Sequence, residues 1–135
     1  MPKAAMISAR PTRMGDAVSA YIAARPATFV AALQKLRTEL ALLLPDHIEC
    51  ISYAMPGFRE PGTKGRMVIG YAAFTHHLGL YPHSGTIIPT LDCRPFKTSK
   101  SGVLFTPDTP LPLPLITAIV RARQAELAAG YGRKS

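Results

Sequence analysis

The sequence predicts an α+β domain: a mostly antiparallel sheet of four to five strands, with two N-terminal helices and one C-terminal helix packed on it. Three observations carry that prediction. Apolar residues recur at helical spacing near both ends, through Phe29, Leu33, Leu36, Leu40 and Leu43 and again through Leu115, Ile116, Ile119, Val120 and Leu127. Between these stretches, short apolar runs are punctuated by Gly, Pro and hydroxyl residues, the texture of strands and turns. The runs at 66–74 and 77–82 lie too close in sequence for a crossover helix, so an antiparallel hairpin around 75–77 is expected. A chain of 135 residues is one domain with room for a core.

Residues 1–15 carry two prolines, three basic groups and no period, and are expected to form a flexible basic arm ahead of a single domain at 16–130. Asp16 can cap a short helix through Tyr21 and Ile22, because its carboxylate accepts otherwise unpaired N–H groups. Pro26 suits the first turn of the second helix, where its missing N–H costs nothing. Pro45 disfavours helical geometry at Leu44 and stops it. IECISYAM then runs into Pro56-Gly57, a turn signal. RMVIGYAAF (66–74) is almost continuously apolar, as for a strand central in its sheet. Residues 86–95 leave room for a short helix at most, and SGVLF (101–105) is a further strand. Prolines at 107, 110, 112 and 114 make a stiff approach to the last helix, which Gly130 and Gly132 end, leaving 131–135 as a tail.

Hydrophobic residues make up 47% and charged residues 18%, the balance of a globular chain. Net charge is +8, from 16 Lys and Arg against 8 Asp and Glu, which favours an anionic or small-molecule ligand. The cations are scattered with no run of five or six like charges, so nucleic acid is disfavoured as a partner and a nucleic-acid accessory role is an alternative resting on charge alone. Cys50 and Cys93 form no paired motif and fit two free thiols in a reducing cytoplasm. MPKAAMISARPTRM lacks a signal-peptide core, and no stretch approaches the roughly 18 apolar residues of a membrane span, so a cytoplasmic protein without a membrane partner is expected. A homodimer is compatible with the sequence.

ISYAMPGF (51–58), HHLGLYP (76–82) and KTSKSGVLF (97–105), followed by PLPLPLITAIVRARQAE, together resemble the YdhG-like family of uncharacterised bacterial proteins (domain of unknown function 1801). The resemblance runs from about Tyr21 to Glu126 and rests on several motifs in the correct order. It implies a compact α+β domain. One branch of that family is described as a frataxin-like iron chaperone for iron–sulfur cluster and haem assembly, so iron enters as a cofactor through the resemblance only. Hard cations prefer oxygen ligands. The eight carboxylates here are dispersed among twice as many cations, and no cofactor is expected from the residues themselves.

His76, His77 and His83 fall within eight residues, yet adjacent strand residues point to opposite faces and no cysteine or carboxylate lies between them. No metal ligand set is assigned. Lys97, Thr98, Ser99, Lys100, Ser101 and Gly102 make the most donor-rich segment, an anion cradle without Walker spacing. Arg123 falls on the apolar stripe of the last helix, where a desolvated guanidinium needs a carboxylate, strand-end carbonyls or a bound anion. Tyr53, Met55, Phe58, Tyr71 and Tyr81 are candidates to wall an apolar pocket. Neither the serines nor the cysteines sit in a nucleophile context, and no catalytic residue is assigned. The expected site is a cleft where 53–59, 77–83 and 97–101 converge. Its candidate ligand-binding residues are Tyr53, Met55, Phe58, His77, Tyr81, Lys97, Ser99, Lys100 and Arg123.

Overall fold

The computed structural model describes residues 13–62 and 64–130. Two helices, α1 (Arg13–Ala23) and α2 (Ala27–Leu43), precede β1 (Ile48–Ser52), β2 (Met55–Arg59), β3 (Met67–Ala73) and β4 (Leu78–Tyr81). A single 3₁₀ turn (Ile88–Thr90), the short β5 (Lys97–Thr98), β6 (Val103–Phe105) and α3 (Leu113–Ala128) complete the chain. The strands form one antiparallel sheet in the order β1-β2-β3-β4-β6-β5.

The α+β class and the three-helix layout agree with the sequence reading; the sheet has six strands rather than four to five. The additional strands come from two tight hairpins. Ser99 N–H donates to the Gly102 carbonyl at 2.9 Å and folds Lys97–Thr98 back onto β6. IECIS and MPGFR separate at Tyr53-Ala54, not at Pro56-Gly57, which lie inside β2. Pro56 is tolerated there because the ladder to β3 starts only at Gly57. The hairpin between β3 and β4 closes where expected, with Phe74 N–H donating to the His77 carbonyl at 2.8 Å. α1 begins at Arg13, so Asp16 sits in its first turn instead of capping it. Residues 13–15 of the expected arm belong to α1, and its residues 1–12 and the tail at 131–135 lie outside the described residues.

Registers assign side chains to two faces. Phe58, Ile69, Tyr71, Leu78, Leu80, Val103 and Phe105 share one face and pack with Phe29, Leu33, Leu36 and Leu40 of α2, Val18 and Ile22 of α1, and Ile116, Ile119, Val120 and Leu127 of α3. Fully burying a leucine such as Leu33 or Leu40 stabilises the fold by about 1.5–3 kcal/mol relative to leaving it in water. A bidentate ion pair locks this layer. Arg37 of α2 reaches Glu49 of β1 at 2.6 and 2.7 Å and also donates to Ser19 Oγ of α1 at 3.1 Å.

The opposite face carries no helix of that core. Two rows cross it: Cys50, Gly57, Gly70 and Tyr81 in one, and Ala72, Gly79, Leu104 and Lys97 in the next. Small residues dominate the first row and make up half of the second. At Gly57 an added Cβ would stand 2.9 Å from the Gly70 Cα and closer still to the Ile69 carbonyl, both backbone atoms that cannot swing away. Gly57→Ala is therefore expected to destabilise the domain by about 1–3 kcal/mol, read from the urea midpoint. Gly85→Ala, where an added Cβ meets nothing within 4 Å, should stay within about 0.5 kcal/mol of the parent.

Candidate binding face

Glycines in strand interiors mark places where something else comes close, and here that something is aromatic. A Cβ on Gly70 would meet His83 Nε2 at 2.8 Å, and one on Gly79 or Gly102 would strike the Tyr81 ring. Tyr81 and His83 therefore lie flat on a glycine floor. Further rings continue in both directions. Tyr53 faces His83 with centroids 6.0 Å apart and planes tilted by 31°. Phe74 meets Tyr81 edge-on at 6.4 Å and stacks on His77 at 5.0 Å. The order along the face is Tyr53, His83, Tyr81, Phe74, His77.

One end of this line is held under backbone strain. Tyr53 (φ 54°), Ala54 (φ 62°) and His83 (φ 55°) are the non-glycine residues with positive φ among those described. A two-residue turn with both φ values positive normally takes Asn-Gly, and each strained position costs on the order of 1–3 kcal/mol. Tyr53 nevertheless stands there with 84% of its surface exposed. A hydrogen-bonded staple sets the chain just after His83. Ser84 Oγ and Thr86 Oγ1 lie 3.0 Å apart, and the Thr86 hydroxyl donates to the Glu126 carboxylate of α3. Burial works against the Glu126 charge, but hydrogen bonds from Thr86, Ser84 and Arg123 win and hold its carboxyl below the usual carboxylate range.

His83 itself is kept neutral. Its Nε2 is buried against the floor without a hydrogen-bond partner. Burial first, and the nearby Arg123 guanidinium second, push its pKa below the ordinary imidazole value. At the other end, the face opens into a cavity of about 320 Å³ whose walls include His77, Phe96, Lys97, Leu104, Thr106 and Thr109. A larger hollow of about 680 Å³ lies between the β2–β3 loop and the end of α3. Within it Glu60 takes Arg66 at 2.9 and 3.2 Å and Arg66 also donates to the Leu127 carbonyl, while Arg66 Nη1 is buried without a hydrogen-bond partner.

The structure divides the nine candidate residues. His77 and Lys97 share the 320 Å³ cavity, and Tyr81 joins them through Phe74. Tyr53 occupies the far end of the line; Met55 follows it across the turn and faces the same way as Cys50 and Gly57. Ser99 is spent on its own hairpin, its hydroxyl 3.5 Å from the Gly102 carbonyl, and Lys100 is exposed in that turn. Phe58 points into the helix-covered core, as does Tyr71, whose hydroxyl is buried without a partner and whose pKa burial pushes well up. Arg123 lines neither end of the ring line. At 7% exposure, its Nε and Nη2 donate to the Met67 carbonyl at 3.1 and 3.0 Å and its Nη1 reaches Glu126 at 3.4 Å, a strand carbonyl and a carboxylate together. Phe74 and the stacking role of His83 were not foreseen. The signal that could have found them is the glycine at 70, 79 and 102, each placed where a ring must lie against the sheet.

No group of three or more His, Cys, Asp or Glu side chains able to hold a metal occurs among the described residues. Cys50 and Cys93 are free and buried, and burial raises both thiol pKa values. Among the described residues no helix is long and apolar enough to cross a membrane.

Comparison with solved structures finds this fold in the crystal structure of YdhG, a protein from the DUF1801 family from Bacillus subtilis. The two agree with a TM-score of 0.73 and 17% sequence identity, over 84% of this chain and 92% of that chain. The fold is thus the one that the motifs between about 21 and 126 imply. No protein-family model and no curated protein matches the sequence.

The depressed His83 pKa has a signed consequence. Below the ordinary imidazole value of 6.5 the unfolded chain takes up a proton that the folded chain refuses, so stability is greatest above that pH and declines as pH falls through it. Urea midpoints measured between about pH 7.5 and 5.5, above the carboxylate range, should fall with pH for the parent and flatten for His83→Phe.

Proposed function

We propose that this chain is a non-enzymatic binding domain that uses the uncovered sheet face to hold a ligand with a planar apolar body and an anionic group. The observation that carries the reading is the ring line itself, laid on glycine and running into a cavity beside Lys97. Phe96 and Leu104 supply apolar walls there, Thr106 and Thr109 supply hydroxyls, and the ammonium of Lys97 supplies the charge. Lys97 makes no ion pair among the described residues, so its charge is not spent on a carboxylate of the fold.

Iron delivery finds less support. Glu39, Glu49, Glu60, Asp92 and Glu126 are held by Lys35, Arg37, Arg66, Arg94 and Arg123, and Asp46 bonds His47, so six of the eight carboxylates that could collect a hard cation are engaged within the fold. Two free buried thiols suit a reducing compartment, and we place the protein in the cytoplasm on that ground.

Anilinonaphthalene sulfonate has the required planar body and anionic group, and a chain without tryptophan gives little competing emission. Saturable enhancement of its fluorescence is expected. Lys97→Gln and Phe74→Ser should each weaken binding about tenfold, the loss of a charge-assisted contact or a stacking wall. Lys35→Gln, on the outer side of α2, should leave it unchanged. Equal affinity for all four proteins would overturn the reading.

A further inference from the structure

We infer that the natural occupant of this face is an unpaired stretch of nucleic acid, whose bases stack along the ring line while its phosphates meet the flanking cations; this rests on the reading above. A small ligand seated in the cavity meets His77, Lys97 and the walls around them, with Phe74 beside His77. It leaves unused the Tyr53–His83 pair, where all three strained non-glycine residues are concentrated. A line of five rings is longer than one planar molecule can cover. Successive centroids along it are 6.0, 6.4 and 5.0 Å apart where rings face each other, and His83 and Tyr81, two residues apart in the chain, lie on the same glycine floor. Unstacked bases of an extended strand can follow such a spacing. Sequence-tolerant single-strand recognition works by this pairing of aromatic platforms with a cationic groove.

Charge supports the same occupant. Strands β2 to β6 contain no Asp or Glu. The one strand carboxylate, Glu49, faces the helices and is held by Arg37. Lys97 lies on the ring face by its register with Leu104, Lys100 sits in the adjoining turn, and Arg59 shares the face at the opposite side of the sheet. Arg59 donates to the carbonyls of Glu60 and Gly62, so its charge is oriented without being neutralised by a carboxylate. Cations scattered through the sequence thereby border a face whose strands β2 to β6 carry no carboxylate, within a chain of net charge +8.

The test uses the full chain and a labelled oligouridylate of about eight nucleotides, within the site sizes of single-strand binders, followed by fluorescence anisotropy over a range of salt. Saturable binding is expected, with log K falling linearly in log salt; Lys97→Gln should reduce the slope by about 0.7. Tyr53→Asn, which suits the turn, should weaken binding about tenfold with a urea midpoint at or above that of the parent. A deoxy strand of the same length identifies which sugar is preferred, and tight binding of either strand supports the inference. Uridine monophosphate binding as tightly as the oligomer would overturn it while leaving the small-ligand reading intact. So would failure of the oligomer to bind a protein that still binds the sulfonate dye. Equal affinity for a duplex, insensitive to Tyr53→Asn, would reduce the effect to charge attraction and overturn it as well.

Discussion

An antiparallel sheet whose helices all pack on one side must leave its second side to water or shield it with its own side chains. In this domain the constraint is met by laying rings on glycine. Gly70, Gly79 and Gly102 allow His83 and Tyr81 to lie against the strands, which no residue with a Cβ at those positions permits without displacing them. Floor and rings are thus one packing unit. The rings shield the backbone of the floor, and their upper faces remain available to whatever lies above. Phe74 and Tyr53 extend that surface outward, at 44% and 84% exposure.

Charge is distributed by the same division of faces. Carboxylates serve the helix side and the sheet margins: Glu49 joins β1 to α2, Glu60 holds Arg66 in the β2–β3 loop, and Glu126 takes Arg123 and Thr86. Arg123 is the clearest case of a cation used inside the fold. A buried guanidinium left unpaired would be costly, and here the Met67 carbonyl and Glu126 absorb it. Its remaining influence is indirect, through the field that helps keep His83 neutral. Lys97, by contrast, has no such internal duty among the described residues.

Much of the architecture was legible in the sequence because it follows local rules. The spacing of Leu33, Leu36 and Leu40 marked the buried face of α2, prolines bounded the helices, and the short gap between 74 and 77 required a hairpin. The strand count was less legible, since it depends on turns whose chemistry is unusual. Tyr53-Ala54 is not a turn dipeptide by composition, whereas Pro56-Gly57 looks like one and lies inside β2. Lys97-Thr98 has no apolar character of its own and becomes a strand only because Ser99 and Gly102 fold it against β6. Phe58 illustrates the same point for the site. Its motif neighbours face outward, yet alternation within β2 turns it inward.

The sequence by itself determined the fold class, the limits of α2 and the basic character of the chain, because periodicity, proline geometry and composition are properties of neighbouring residues. Only the tertiary structure decided which side chains share a face. Strand order brings Tyr53, His83, Tyr81, Phe74 and His77 into one line, and the same registers send Phe58 and Tyr71 into the core. That separation depends on pairing between segments far apart in the chain, whose energies no local pattern records.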